Sequence, residues 1–204
     1  MVSIDKNEYY YQEVKVGKYW LVDKMGNEYD GNDGFAYFVI SALNSLREGK
    51  IGNELVQDLE THSDVVEIQR SEKNFYESRI NTLTNNENYV IGWNPTDPTG
   101  GPSFSENGEF TNDRPSYIGL GHEMAHAWDK FFGEWNLRPW FFYGKRVVDR
   151  TDIFACHVEN MIRAEHGIPL RTHYIKNSPY SSLILFGNGN LYYTPYHFYL
   201  FNNF

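Results

Sequence analysis

One short run in the second half of the chain, Gly121-His-Glu-Met-Ala-His-Ala-Trp-Asp129, constrains the fold more than any other segment. His122 and His126 are four apart, so on a helix both imidazoles leave one face and can converge on a single ion. The flanks agree with a helix: Pro115 stands in its first turn, helical spacing continues to Phe132, and Gly133 ends it. Glu123 follows the first histidine, so its carboxylate can reach a water at that ion without ligating the ion. Zinc held by two neutral nitrogens lowers the pKa of water, and the carboxylate takes the proton. Shuffling this composition yields HExxH only about 0.02 times, which makes a pair of ordinary core histidines the poorer reading. Gly119, Gly121, Ala125 and Ala127 imply that the helix is packed closely and lies centrally.

A catalytic zinc takes three protein ligands and keeps one open position. The next long helical pattern, Asp149 to His166 with Gly167 and Pro169 beyond, supplies the third. Glu159 is the expected ligand, thirty-three positions after His126 on a helix that returns antiparallel to the first. Asp129 and Glu165 stay open as alternatives, His157 is weaker, and Asp129 is as natural a support for a ligand histidine. The competing reading of Glu159 is an exposed carboxylate paired with Arg163 at i+4. Peptide hydrolysis also needs a donor at the developing oxyanion, and Arg171 and Tyr174 offer a guanidinium and a phenol three apart.

Around this centre the pattern is α+β. Residues 9–29 read as two short strands joined at Gly17, followed by a turn-rich stretch from Gly26 to Gly34 in which Asp33 can cap a helix. Helical spacing follows over Phe35–Leu46 and again over Ile51–Leu59. Asp64–Arg70 and Asn88–Trp93 are strand candidates, and Tyr89–Trp93 is the expected edge strand for an extended substrate. Residues 94–112 read as a long loop, residues 135–143 as an aromatic connection, and 181–204 as a hairpin. The expected architecture is one domain over 1–204, with strands and helices of 1–60 packed on it and the hairpin at its end.

Composition removes several classes. The 204 residues carry a net charge of -9, with no basic run longer than two, so nucleic acid is not an expected partner. A single cysteine, Cys156, leaves no internal disulfide and no several-cysteine zinc site. No apolar stretch approaches a membrane span, so no membrane partner is expected, and Met1–Lys6 has no signal-peptide character.

The paired blocks Asn112–Asp129 and His157–Tyr174 resemble the NleD-type effector zinc metallopeptidases, whose related domains also occur as toxin tips of Rhs-type polymorphic proteins. The likeness spans about residues 60–175. It implies a zincin-like α+β fold with a small mixed or antiparallel sheet and a central HExxH helix, His122 and His126 as zinc ligands, and Glu123 as base. It further implies a secreted bacterial effector or toxin, exported without a cleavable signal peptide, that cuts a protein in a target-cell cytosol. A secretion machine and a cognate immunity protein are the partners such a life implies. Arg171 and Tyr174 are similar to the Arg-x-x-Tyr pair of clostridial neurotoxin light chains. The first sixty residues and the aromatic end match nothing in that family, so target choice does not transfer. The expected activity is therefore a gluzincin-like zinc endopeptidase; the rival is a zinc-stabilised binding module with a closed set of four ligands, for instance His122, His126, Asp129 and Glu159.

Overall fold

The computed structural model describes residues 34–80, 86–104, 110–175 and 184, together with the backbone of 2–4, 9–13 and 19–22. Strands β1 (Val2–Ile4), β2 (Tyr9–Glu13) and β3 (Tyr19–Val22) precede helices α1 (Gly34–Leu46) and α2 (Lys50–Thr61). Strands β4 (Val66–Arg70), β5 (Phe75–Ile80) and β6 (Glu87–Trp93) follow, then a hairpin of β7 (Thr99–Phe104) and β8 (Phe110–Asp113). Helix α3 (Ser116–Phe132), a second hairpin of β9 (Pro139–Tyr143) and β10 (Arg146–Asp149), and helix α4 (Thr151–Glu165) complete the described elements.

The main sheet is mixed, in the order β3-β2-β1-β4-β6-β5. Strands β1, β4 and β6 are parallel to one another, whereas β5 runs antiparallel to β6. Tyr89 to Trp93 of β6 are all buried, as a strand covered on both faces must be. This corrects one expectation: Tyr89–Trp93 is not the edge, because β4 and β5 occupy both of its sides. The edge on this side of the sheet is β5, whose Glu77 and Arg79 interrupt the apolar pattern, as charges do on strands that must resist pairing with other chains.

Helix α3 runs through the interior and packs against α1, α2, α4, β5 and β6. Every residue from Ile118 to Asp129 is buried, so the helix has no solvent face over three turns. Small residues make this possible: a Cβ on Gly121 would press on methyls of Leu46 and Ile162 at 3.0 and 3.1 Å. Three polar contacts set the helix in place. Trp93 Nε1 donates to the Ser116 carbonyl (3.0 Å), Trp128 Nε1 donates to Asp58 (2.8 Å), and Lys130 pairs with Glu87 (2.9 Å).

All four expected helices are present, within a few residues of the anticipated ends. The expected loop over 94–112 instead contains the β7–β8 hairpin, which Gly100, Gly101 and Pro102 disguise because such residues seldom mark strands. The aromatic connection folds as β9–β10, turning at Gly144 with φ +60°. Gly17, the 26–33 turn region with Asp33, and the 181–204 hairpin except Ile184 lie outside the described residues. Among the described residues no helix is long and apolar enough to cross a membrane.

Gly52 sits where α2 folds back against the end of α1, and a Cβ there would overlap the carbonyl oxygen of Leu46. Backbone cannot rotate aside. Gly52→Ala should therefore destabilise by about 1–3 kcal/mol despite the better helix propensity of alanine, lowering the urea midpoint at unchanged slope.

Candidate metal centre and active site

Contacts between α3 and α4 run in opposite order along the two helices. Gly121 faces Ile162, His122 faces Glu159, and His126 faces Asp152, so α4 returns antiparallel beneath α3. Asp152 and Glu159 are seven apart and share one face of α4. That face meets the histidine pair at two depths.

At the deeper level, His122 Nδ1 lies 2.9 Å from Glu159 Oε2. Burial alone would raise the pKa of Glu159, but Arg114, Arg171, His122 and Arg163 hold it well below the usual range. The carboxylate is thus ionised and can only accept, so Nδ1 carries a proton and Nε2, towards the cleft, is the nitrogen that offers a lone pair when the ring is neutral. At the shallower level, Asp152 Oδ1 lies 3.9 Å from His122 Nε2 and 3.5 Å from His126 Nε2. Ligand atoms of a tetrahedral zinc stand about 3.4 Å apart, so these three atoms suit one ion. Burial would raise the pKa of Asp152, yet the two imidazoles bring it far down. Burial lowers the pKa of His122, and the carboxylates of Asp152 and Glu159 more than reverse it.

Glu159 therefore does not join the two Nε2 atoms, contrary to its expected place as third ligand. It is fully buried behind His122, with Arg114 Nη1 (2.9 Å), Arg163 Nε (2.9 Å) and Arg171 Nη1 (2.8 Å) around its oxygens. The competing reading had the Arg163 pair right and the exposure wrong. Of the alternatives, Glu165 accepts from the Ile51 amide at the start of α2 (3.0 Å). Asp129 is buried beyond His126, its carboxylate against Gly133. His157 is buried on α4 and lines neither of the two clefts that His122 and Glu123 border.

Arg171 is brought to the site but not as a free donor. Its Nη1 serves Glu159, its Nε donates to the His173 carbonyl (3.1 Å), and its Nη2 donates to the Tyr174 carbonyl (2.9 Å). These bonds correct its expected role at the oxyanion. Tyr174 does line the cleft beside His122, Glu123 and Asp152. Burial, with Asp152 next to it, pushes its phenol well above the usual range, so the hydroxyl keeps its proton. The strand-like path of this segment is fixed by Asn160, whose side chain bonds both the amide (2.7 Å) and the carbonyl (2.9 Å) of Arg171. Thr172 adds a main-chain bond to Pro102 of β7 (2.7 Å).

The resulting cleft, about 360 Å³, is floored by His122, Glu123, His126 and Asp152 and walled by Asn74, Phe75 and Tyr76 at the start of β5. Trp135 and Leu137, between α3 and β9, close another side. Tyr76 stacks on His126 at 6.3 Å between centroids. Cys156 is buried, and burial pushes its thiol up, so it is no nucleophile. Sequence reasoning missed Asp152, Asn160 and Arg114. Asp152 had one signal, its place seven residues before Glu159 on the same helical stripe.

A family model described as effector protein, Peptidase_M91, matches residues 23–140, more than half of the chain. No curated protein and no solved structure matches.

Glu159→Gln would keep the shape of the side chain while leaving three guanidinium groups without their counter-charge. Breaking a buried pair from one side costs about 3–5 kcal/mol, so a large fall in denaturant midpoint is expected. A change below about 1 kcal/mol would mean that the cluster relaxes into solvent.

Proposed function

The chain belongs to the Peptidase_M91 family of effector proteins, and on that premise we propose that it is a zinc-dependent endopeptidase acting on a protein of the cell into which it is delivered. The observation that carries this reading is the convergence of His122 Nε2, His126 Nε2 and Asp152 Oδ1 beside a carboxylate, Glu123, that lines the same cleft. Asp152 replaces Glu159 as the third ligand, so the site is not of the gluzincin kind. A zinc ion held there supplies Lewis acidity, acidifying water and offsetting negative charge as it develops on the substrate.

The chain's own groups do the rest. The outer edge of β5 has no partner among the described residues and can pair with an extended peptide, delivering the scissile bond to the cleft. Glu123 takes the proton of the attacking water and passes it to the leaving amine. Tyr174, kept protonated, donates to the oxyanion. Glu159 holds the His122 ring from behind, while Asp152 faces the Nε2 atoms of both imidazoles. The rival, a binding module around a closed zinc site, called for four ligands including Asp129 and Glu159. Glu159 is spent on arginines, and Asp129 lies outside the cleft. After delivery the protein would meet its substrate in the target-cell cytosol, and a susceptible producer would need an immunity protein or direct hand-over to a secretion machine.

Metal content and proteolysis of a cell lysate, measured on the same preparations, test this reading. Wild type should carry about one zinc and produce new fragments. Glu123→Gln should keep the zinc and lose activity by about 10²–10⁴-fold. His126→Ala and Asp152→Ala should lose stoichiometric zinc, whereas Glu159→Gln should weaken zinc affinity only about 10–100-fold. Zinc retained in Asp152→Ala and absent from Glu159→Gln would reverse the two roles.

A further inference from the structure

Beside the cleft, and continuous with it through Asn74, His122, Glu123 and Tyr174, lies a second pocket of about 270 Å³. Its other walls are Lys73, Asp97, Thr99, Gly100, Gly101, Arg114 and Arg171. Cations dominate it. Arg114 and Arg171 line it directly, Lys73 stands at its rim, and Arg163 lies just behind Gly100. Against these four positive charges stand Glu159, buried beneath, and Asp97, whose Oδ1 is taken by the amide and hydroxyl of Thr99 (2.9 and 2.6 Å). Glu123 is the only other carboxylate among the described lining residues, and it belongs to the proton transfer. Such a concentration is unexpected in a chain with a net charge of -9.

One of these arginines, Arg114, has a donor to spare. The side chain of Arg114 is only 7% exposed. Its Nε donates to the Thr99 carbonyl and its Nη1 pairs with Glu159, but its Nη2 has no acceptor among the described residues. A guanidinium N–H left without a protein acceptor can donate to an oxygen that enters the pocket. The two glycines of β7 keep the approach open. A Cβ on Gly100 would come within 2.7 Å of Arg114 Cδ and 2.8 Å of Arg163 Nη2, and one on Gly101 would overlap Arg171.

We infer that this pocket, reached from the Glu123 cleft, is a specificity pocket for an acidic side chain, an Asp or Glu carboxylate within two or three residues of the scissile bond. The inference rests on the peptidase reading above. A carboxylate accepts two parallel hydrogen bonds and brings the charge that the cluster lacks. A neutral side chain would displace water from these cations without supplying a charged acceptor, and a pocket of this kind discriminates by that difference. A phosphorylated side chain offers the same kind of anion with more charge; the test separates it from the carboxylate.

The test is a cleavage profile of wild-type, zinc-loaded protein on peptides from a digested cell lysate, with half of the library treated with phosphatase. Two rim variants, Lys73→Glu and Thr99→Glu, are run beside it, both at exposed positions. Expected are Asp and Glu enriched at one position near the cut in both halves, and a ratio of Asp- to Asn-peptide cleavage that falls roughly tenfold in either variant. Cleavage without acidic enrichment, or a ratio unchanged in both variants, would overturn the pocket while leaving the peptidase standing. Enrichment confined to the untreated half would replace the carboxylate by a phosphate. A wild type that cuts nothing overturns the peptidase reading, and this assignment with it.

Discussion

The arrangement depends on one buried negative charge. Glu159 has no exposure to solvent, and its two oxygens face Arg114 from the segment before α3, His122 from α3, Arg163 from its own helix, and Arg171 from the chain beyond α4. An ionised carboxylate at such depth is tolerable only with this complete set of donors, because any missing partner leaves an uncompensated charge in the interior. The requirement fixes four pieces of chain at once. It also fixes the His122 tautomer, so the charge that helps hold the fold turns a lone pair towards the cleft. Stability and site geometry have a common cause here, and neither can be altered alone.

The same interaction explains what could and could not be read in the amino-acid sequence. HExxH, its helix and the antiparallel return of α4 are local or nearly local properties, set by four-residue spacing, by Gly133 and by Gly167, and they were legible. Choosing between Asp152 and Glu159 was not, since both lie on one stripe of α4. What decides is the sliding register between two helices, set by Gly121 admitting Leu46 and Ile162. Glu159 was singled out by its spacing from His126, and its central position in α4 is what buries it. The contacts of Arg171 were not legible, because two of its three partners are backbone carbonyls that no side-chain pattern reports.

Strands were harder than helices for a physical reason. β5 and β7 carry charges, glycines or proline where a simple alternation should stand, and each departure has a cause in the cleft they border. Charges on β5 belong to an edge left open. Glycines on β7 belong to a wall against which guanidinium groups lie. Conversely β6, with the cleaner apolar pattern, is buried on both faces and cannot present an edge at all. In this fold the segments that border the cleft are those whose sequence least resembles their secondary structure.

The charge distribution sharpens this. The chain as a whole is acidic, with a net charge of -9, while its site is backed and flanked by arginines. Screening limits how far either feature reaches: at physiological salt the Debye length is about 8 Å. An acidic peptide approaching the outer surface is therefore little repelled, and the arginines act on it only once its side chain has entered the pocket. Inside, the low dielectric and the fixed donors make each charge count far more than at the surface. Discrimination would then arise after docking on β5, in how well the bound peptide is held against Glu123, rather than in how often the two proteins meet. A pocket built this way favours selectivity over speed of encounter, as the proposed activity on one class of protein in a target cell would require.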